Sequence, residues 1–339
     1  MQPTQPEPIL EVRGLTKHFP IERGFLHRVA GCVRAVDGVS FAIRPGQTMG
    51  LVGESGCGKT TTARCIVRAM RPTAGAVLFR TEEAGAVDMA ALDDESLEGV
   101  RRHIQMIFQD PYSSLNPRMP VIDLVAEPLR AHGWKRRKCE ERVAELLDLV
   151  GLDPRYMRRY PHAFSGGQRQ RIGIARALAL EPSLVIADEP VTALDVSVQA
   201  QILGLLQDMQ QRMKLAYLLI AHDLSVVRYI CDRVAVMYLG KLVEVADTEA
   251  LFTRPLHPYT SVLLSAVPDA DPTSEWLADA VSGEAALPTE EMAGCPFAPR
   301  CPHALDLCRR EAPPLVEAAD SPDRLVACHR YGDLTLAGV

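Results

Sequence analysis

A glycine-rich segment at residues 53–61, GESGCGKTT, constrains the fold of this chain more than any other feature. It fits the pattern G-x-x-x-x-G-K-[S/T], in which backbone N–H groups converge on phosphate oxygens, the lysine reaches the outer phosphates and the hydroxyl can hold Mg²⁺. An apolar run, TMGLVG at 48–53, precedes the segment, and a helix that begins near Thr60 would point its positive end at the same anion. The segment therefore predicts a strand, a phosphate loop and a helix that together bind a nucleotide. The predicted loop residues are Gly53, Glu54, Ser55, Gly56, Cys57, Gly58, Lys59, Thr60 and Thr61.

Short apolar runs alternate with helical patterns up to about residue 250. The runs predict strands at 48–53, 104–109, 184–188, 217–222 and 233–240. Between them, apolar residues recur every three or four positions in 138–150 and 198–213, which is typical of helices with one buried face. This alternation favours an α/β fold whose parallel sheet is covered by helices on both faces.

The composition changes in the last quarter of the chain. Eleven of the 25 prolines lie in 253–339, and proline excludes long helices. We expect a main domain at 1–252 and a separate small appendage at 253–339.

Charge and hydropathy exclude several classes of protein. A net charge of −6 gives no sign of the basic surface that nucleic-acid binding needs. No apolar run approaches the roughly 20 residues that span a bilayer. The first ten residues, MQPTQPEPIL, lack the basic and apolar regions of a signal peptide. We expect a cytosolic chain whose nine cysteines stay reduced.

Two acidic residues follow the predicted strand at 184–188, in the segment LVIADEP. Asp188 ends the strand, where it could orient Mg²⁺ through water, and Glu189 is placed to polarise an attacking water. Such a pair could also be a simple helix cap, but the phosphate loop favours the catalytic interpretation.

A third segment, FSGGQRQRIGIARALAL at 164–180, predicts a strong helix opened by Ser165, Gly166 and Gly167. Its N-terminus would be a second anion-binding site. Two such sites with only one phosphate loop indicate a dimer, in which this segment completes the nucleotide site of the partner.

The phosphate loop, SGGQ, ADEP, TALD at 192–195 and AHD at 221–223 occur in the order seen in the ATP-binding subunits of ATP-binding-cassette transporters. The chain resembles that family over about 1–250. The resemblance implies an ATPase with ATP and Mg²⁺ as cofactors. It also implies a P-loop NTPase cassette with a RecA-like parallel-sheet core, an N-terminal antiparallel β part and a helical signature subdomain at about 112–165.

The same resemblance implies roles for individual residues. Glu189 would be the catalytic base, His222 would contact the γ-phosphate, and Gln109 would contact Mg²⁺ and the attacking water and sense the membrane subunits. Thr60 and Asp188 would complete the Mg²⁺ site. The residues expected to act across a head-to-tail dimer are Ser165, Gly166, Gly167 and Gln168, which bind the γ-phosphate, and Asp195 at the interface.

The adenine-stacking residue is less clearly indicated. Phe19 falls near the position where the family stacks an aromatic side chain on adenine. A lone aromatic at a strand end also suits core packing. An insertion at 21–34 lies beside it, so both interpretations stay open.

Three further segments resemble the dipeptide and oligopeptide importers: DPYSSLNPR at 110–118, YPHAFSGGQRQRI at 160–172 and RPLHPYT at 254–260. This branch implies two transmembrane permease subunits, a second, homologous ATPase subunit, an extracytoplasmic solute-binding protein and a location at the cytoplasmic face of the membrane. Importers of nickel, opines and antimicrobial peptides use similar ATPase subunits, so the solute stays open. We interpret His257-Pro258-Tyr259 as a turn that docks the C-terminal region.

Two other classes remain as alternatives. Cytosolic cassette ATPases that act on ribosomes usually carry two cassettes, and those that act on DNA insert a long coiled coil before the signature. This chain has one phosphate loop, and only a short interval separates that loop from the signature segment. A P-loop kinase or GTPase would need no SGGQ, and the guanine-reading N-K-x-D motif is absent.

Four cysteines, Cys295, Cys301, Cys308 and Cys328, lie in the proline-rich region. No C-x-x-C pair occurs, so neither a zinc ribbon nor a bacterial ferredoxin pattern is present. The residues alone allow buried reduced thiols, a Zn²⁺ site with His303 or His329, or a [4Fe–4S] cluster. So short a segment cannot build a large core, and a bound metal would help it fold. The resemblance to peptide-importer ATPases implies the [4Fe–4S] cluster with these four ligands, with Zn²⁺ as the alternative.

Overall fold

A computed structural model describes residues 6–23, 28–81, 83, 85–110, 114–192, 194–266, 293–319 and 321–339. Its first sheet is antiparallel and consists of β1 (Leu10–Arg23), β2 (Arg28–Ile43), β4 (Ala74–Thr81) and β5 (Gly85–Asp88), in the order β2-β1-β4-β5. Strands β1 and β2 pair as far as Arg23 opposite Arg28. The described residues of the insertion at 21–34 therefore lengthen these two strands.

The second sheet has eight strands in the order β11-β12-β10-β9-β3-β8-β7-β6. Five neighbouring strands of this sheet run parallel, namely β9, β3, β8, β7 and β6. This confirms the predicted parallel sheet. All five predicted strands are present within two residues of their expected ends. The eight are β3 (Thr48–Val52), β6 (Ile104–Ile107), β7 (Leu184–Asp188), β8 (Ala216–Ile220), β9 (Arg233–Tyr238), β10 (Lys241–Asp247), β11 (Val316–Ala318) and β12 (Ser321–Val326).

Helices cover this sheet, and side chains alternate between its two faces. In β8, Leu218 and Ile220 enter the core shared with the antiparallel sheet, while Tyr217 and Leu219 enter the core formed by the other helices. Both predicted helices bury their apolar faces. The helices are α1 (Lys59–Ile66), α2 (Asp94–Arg101), α3 (Val121–Ala131), α4 (Arg136–Leu149), α5 (Gly166–Ala177), α6 (Val196–Met213), α7 (Leu224–Ile230), α8 (Thr248–Thr253), α9 (Pro258–Ser265) and α10 (Asp306–Arg310). None of these described helices is both long and apolar enough to cross a bilayer.

The described part of the C-terminal region continues the core sheet, whereas we expected a separate appendage. Strand β12 pairs antiparallel with β10, with Leu325 opposite Val245 and Val326 opposite Glu244. The Glu244 carboxylate is fully buried and accepts hydrogen bonds from Arg324 Nη2 at 2.7 Å and from the backbone of Leu256 at 3.0 Å. A buried charge is tolerated when it is paired and hydrogen-bonded in this way, and here the pair ties β12 to β10. The domain boundary at 252 stays a prediction.

Candidate nucleotide-hydrolysis site

The loop at 53–58 connects β3 to α1 and passes very close to neighbouring backbone. Gly53 and Gly58 have φ angles of +150° and +109°. A Cβ atom on Gly53 would lie 2.1 Å from the carbonyl oxygen of Met237, and one on Gly58 would lie 2.0 Å from that of Ala35. These two positions therefore require glycine, as the phosphate-loop pattern predicts.

The lysine of this loop is buried, with only 6% of its surface exposed. Its Nζ donates hydrogen bonds to the carbonyl oxygens of Gly53 at 2.7 Å and Glu54 at 2.9 Å. Lys59 thus holds its ammonium inside the loop, at the start of α1. Oxygens of a bound phosphate can replace these carbonyl oxygens as acceptors.

The two side chains predicted to bind Mg²⁺ lie in contact. Thr60 Oγ1 donates to Asp188 Oδ1 at 3.1 Å. Asp188 ends β7 and is 3% exposed, and this burial raises the pKa of its carboxyl group, while the hydrogen bond from Thr60 acts in the opposite direction. A hydroxyl beside a carboxylate is the kind of oxygen pair that Mg²⁺ binds together with substrate phosphates.

Three side chains converge on one oxygen of Glu189. Gln109 Nε2 donates to Glu189 Oε2 at 2.8 Å, Thr192 Oγ1 donates to the same atom at 3.1 Å, and His222 Nδ1 lies 3.3 Å from it. Gln109, Glu189 and His222 follow β6, β7 and β8, so the parallel sheet brings them to one edge. An oriented carboxylate of this kind can accept a proton from water. Sequence reasoning gave Thr192 no role, although its place in the TALD motif was a usable signal.

The signature residues lie at the start of α5. Ser165 Oγ accepts from the backbone of Gln168 at 3.3 Å, and Gln168 Oε1 accepts from the backbone of Ser165 at 3.1 Å, which forms a capping box. A Cβ on Gly167 would lie 2.5 Å from Val198, so α5 approaches α6 closely. Gly166 is the first residue of α5 and lies between Ser165 and Gly167 in the sequence. Ser165 is exposed, which leaves this helix start open to a partner.

The neighbouring helix α6 begins at the same place. Asp195 caps it by accepting from Ser197 Oγ at 2.6 Å and from the backbone of Val198 at 3.0 Å. These hydrogen bonds lower the pKa of the Asp195 carboxyl group, and the one from the Ser197 side chain has the largest effect. In the described part of the chain, the hydrogen bonds of Ser165, Gln168 and Asp195 stay within this pair of helices and do not reach the phosphate loop.

Phe19 lies on β1 opposite Val33 of β2 and is half-buried. The Nζ atom of Lys17 is 5.1 Å from the centre of its ring, a cation–π distance. The aromatic ring is thus partly accessible, and its stacking on adenine stays a prediction.

The C-terminal region contacts the phosphate loop directly. The Tyr259 hydroxyl accepts a hydrogen bond from the backbone of Glu54 at 2.9 Å. His257 caps α9 by accepting from the backbone of Tyr259 at 3.0 Å. His257-Pro258-Tyr259 therefore forms the start of α9 and not the predicted turn, and it docks this region on the loop. Arg300, which sequence reasoning did not single out, also contacts Glu54.

The four C-terminal cysteines surround one cavity, which His303 and His329 also line. Burial raises the pKa of the Cys295, Cys301 and Cys328 thiols, that of Cys328 to about 11. Across the described residues, no three His, Cys, Asp or Glu side chains form a group that could hold a metal ion. The structure thus brings the predicted ligands around one space without forming a closed single-ion site.

A glycine-rich phosphate loop beside a Thr–Asp pair, with a hydrogen-bonded carboxylate one residue further on, defines a Mg²⁺-dependent nucleotide hydrolase of the P-loop class. Comparisons with known proteins narrow this class. The family model described as "ABC transporter" matches residues 36–192, and the one described as "Oligopeptide/dipeptide transporter, C-terminal region" matches residues 243–308.

Curated relatives match nearly the whole chain. The oligopeptide transport ATP-binding protein AppF of Bacillus subtilis (strain 168) is 50% identical over 96% of this chain and 98% of its own length. The probable peptide ABC transporter ATP-binding protein y4tS of Sinorhizobium fredii is 51% identical over 95% of this chain and 89% of its own. This chain belongs to the family of ATP-binding proteins of peptide ABC transporters.

A solved structure shares the fold. The dimeric ATP-binding cassette MJ0796 in a post-hydrolysis state, bound to ADP and Pi, has a TM-score of 0.61 and 27% identity and covers 70% of this chain and 98% of its own. The predicted cassette fold is therefore confirmed.

Proposed function

We propose that this chain is the ATP-hydrolysing subunit of an importer of dipeptides or oligopeptides. The observation that carries the proposal is the convergence of Gln109 and His222 on Glu189, beside the Thr60–Asp188 pair. The names of the relatives, which refer to oligopeptide and peptide transport, support the solute class.

The phosphate loop would hold the phosphates of ATP, with Lys59 neutralising the outer ones. Thr60 and Asp188, with Gln109 at the edge, would hold Mg²⁺, which neutralises charge on the transferred phosphate. Glu189 would accept the proton of the attacking water, and His222 would contact the γ-phosphate. The positions of these side chains around one sheet edge support these roles.

Two such subunits would close head to tail over two ATP molecules, so that the α5 N-terminus of one completes the site of the other. The second subunit is a homologous ATPase in this proposal. Closure would move two transmembrane permeases by way of their contacts with the region at 109–130. Hydrolysis would favour reopening because it removes the γ-phosphate that bridges the two subunits. The complex would bind this chain peripherally at the cytoplasmic face of the membrane and receive its solute from an extracytoplasmic binding protein.

The test is ATPase activity of the complex assembled in proteoliposomes with its cognate permeases and binding protein. Binding protein loaded with di- or oligopeptides should stimulate hydrolysis, and the same protein without solute should stimulate it less. Stimulation by nickel or an opine alone would replace the peptide by that solute. Stimulation by ribosomes or DNA in place of the permeases would contradict an importer.

We also propose that Cys295, Cys301, Cys308 and Cys328 hold a [4Fe–4S] cluster, with Zn²⁺ as the alternative. Their placement around one cavity supports a shared group. The backbone N–H of Arg330 lies 3.4 Å from Cys328 Sγ, and Arg330 lines the cavity, so its charge would offset that of the thiolates. A single zinc ion, with Zn–S bonds of about 2.3 Å, requires more closely grouped ligands than a four-iron core. The cluster would staple the region or sense redox state.

The test is metal analysis of anaerobically purified protein. The cluster predicts brown protein with about four iron and four sulfide per chain, lost in a Cys308→Ser variant. Stoichiometric zinc in colourless protein would keep the ligands and replace the cluster. Metal-free protein with a folded C-terminal region would contradict both.

A further inference from the structure

Arg300 of the C-terminal region makes a two-pronged contact with the phosphate loop. Its Nη1 lies 2.9 Å from Glu54 Oε2, and its Nη2 lies 3.0 Å from Glu54 Oε1. Paired parallel bonds of this kind fix both the distance and the orientation of a carboxylate, which a lysine cannot do. The contact joins residues that are 246 positions apart in the chain.

The surroundings of Arg300 hold its guanidinium in place. Its side chain is 14% exposed, and that of Glu54 is 29% exposed. Nη1 also lies 3.3 Å from the Tyr238 hydroxyl, and the guanidinium carbon lies 5.9 Å from the centre of the Phe297 ring. Phe297 is 1% exposed and accepts the backbone hydrogen bond of Arg300 at 3.0 Å. The arginine is therefore positioned by packed aromatic residues and is not a mobile surface side chain.

Every polar group of Glu54 has a hydrogen-bond partner. Its backbone N–H is bound by Tyr259, its carbonyl oxygen by Lys59 and its carboxylate by Arg300. The residue directly follows Gly53, at the first bend of the loop. Its conformation thus sets the entry of the loop towards the phosphates.

The Arg300–Glu54 ion pair also offsets a negative charge within the phosphate loop. An unpaired Glu54 carboxylate would oppose the negative charge of a nucleotide phosphate close by, and it would compete for Lys59. Arg300 offsets that charge through its ion pair with the Glu54 carboxylate.

We propose that Arg300 is a positioning residue for the phosphate loop, acting through Glu54, so that the C-terminal region contributes to nucleotide affinity. The inference rests on the ATP site proposed above. Binding of MgADP by the wild-type full-length chain tests that site, whereas the ratios between variants test the role of Arg300.

The experiment measures MgADP dissociation constants by calorimetry for wild type, Arg300→Ala, Arg300→Lys, Glu54→Gln and the Arg300→Ala/Glu54→Gln double variant. Because Arg300→Ala removes a pair of charged hydrogen bonds, we expect it to weaken MgADP binding by roughly tenfold or more. Arg300→Lys should recover only part of this loss. The double variant should bind better than Arg300→Ala, because the unpaired carboxylate is gone, which gives a non-additive cycle.

Steady-state kinetics of the assembled complex separates positioning from a general loss of stability. Arg300→Ala should raise KM for ATP while kcat at saturating ATP stays near that of wild type. Arg309→Ala is the matched control, since Arg309 is an exposed arginine of the same region, on α10, and its loss should leave KM unchanged.

Wild-type affinity in Arg300→Ala would overturn the proposal, and so would independent, additive effects of the two single substitutions. If Arg300→Ala fails to fold, Arg300→Lys and Glu54→Gln still test the contact from both sides. Wild-type affinity in both of these conservative variants would then overturn the proposal.

Discussion

Glu189 shows how the site uses a conformation that few side chains adopt. Its φ angle is +47°, in the left-handed region, where a non-glycine residue carries strain of about 1 kcal/mol or more. Its backbone N–H bonds to the carbonyl oxygen of Ile220 at 2.9 Å, which anchors the residue between β7 and β8. The strained backbone turns the carboxylate towards Gln109 and His222, so the surrounding strands fix its orientation.

At the same scale, Lys59→Ala should remove the buried ammonium of the loop. We expect loss of nucleotide binding and of hydrolysis, since Lys59 is the cation that the loop itself supplies. The measurement is MgATP binding and ATPase activity, with Lys138→Ala, an exposed lysine on α4, as control. Near-normal turnover in the Lys59 variant would refute the assignment of the phosphate loop.

Most of these site residues could be predicted because each lies in a local motif with a physical purpose. Arg300 could not, because its partner Glu54 lies 246 positions away and no local pattern marks the pair. Thr192 was visible only as one letter of TALD. Its bond to Glu189 depends on the turn after β7, which a linear pattern does not describe.

At the scale of elements, the strands of the parallel sheet were readable because they are buried on both faces and form continuous apolar runs. All five residues of β3 and β7 are buried. The C-terminal strands β11 and β12 escaped prediction, since β11 has only three residues and β12 contains a proline and two charged residues. Their place in the core sheet is accompanied by a contact of Arg324 with Glu244, between segments that are distant in the sequence.

Helix α9 leads to a prediction about pH. Burial lowers the pKa of its cap His257 to about 3, from an ordinary value near 6.5. Between these pH values the unfolded chain binds a proton that the folded chain does not, so stability falls as the pH falls. His257→Asn keeps an acceptor for the backbone of Tyr259 but does not titrate.

Urea unfolding at pH 7 and pH 5 measures this effect. Wild type should lose about 2 kcal/mol more than His257→Asn over that interval. Equal losses in the two proteins would show that His257 is not the titrating group.

At the scale of the whole molecule, the exposed start of α5 gives a test of the proposed head-to-tail dimer. Ser165→Arg places a bulky cation at this helix N-terminus, where the helix dipole and a γ-phosphate of the partner would meet. We expect it to damage the nucleotide site of the partner subunit more than its own. Photolabelling of each site in mixed mutant and wild-type complexes decides this. Damage confined to the mutated chain's own site would contradict the head-to-tail arrangement.

The most direct measurement is hydrolysis and nucleotide trapping by Glu189→Gln in the assembled complex, beside wild type. Glutamine keeps the shape of the side chain but cannot accept the proton, so hydrolysis should fall by about 10²–10⁴-fold while ATP binding persists. The variant should accumulate in a closed, ATP-bound state. Hydrolysis that falls by less than about tenfold would show that Glu189 is not the base and would contradict the proposed ATPase mechanism.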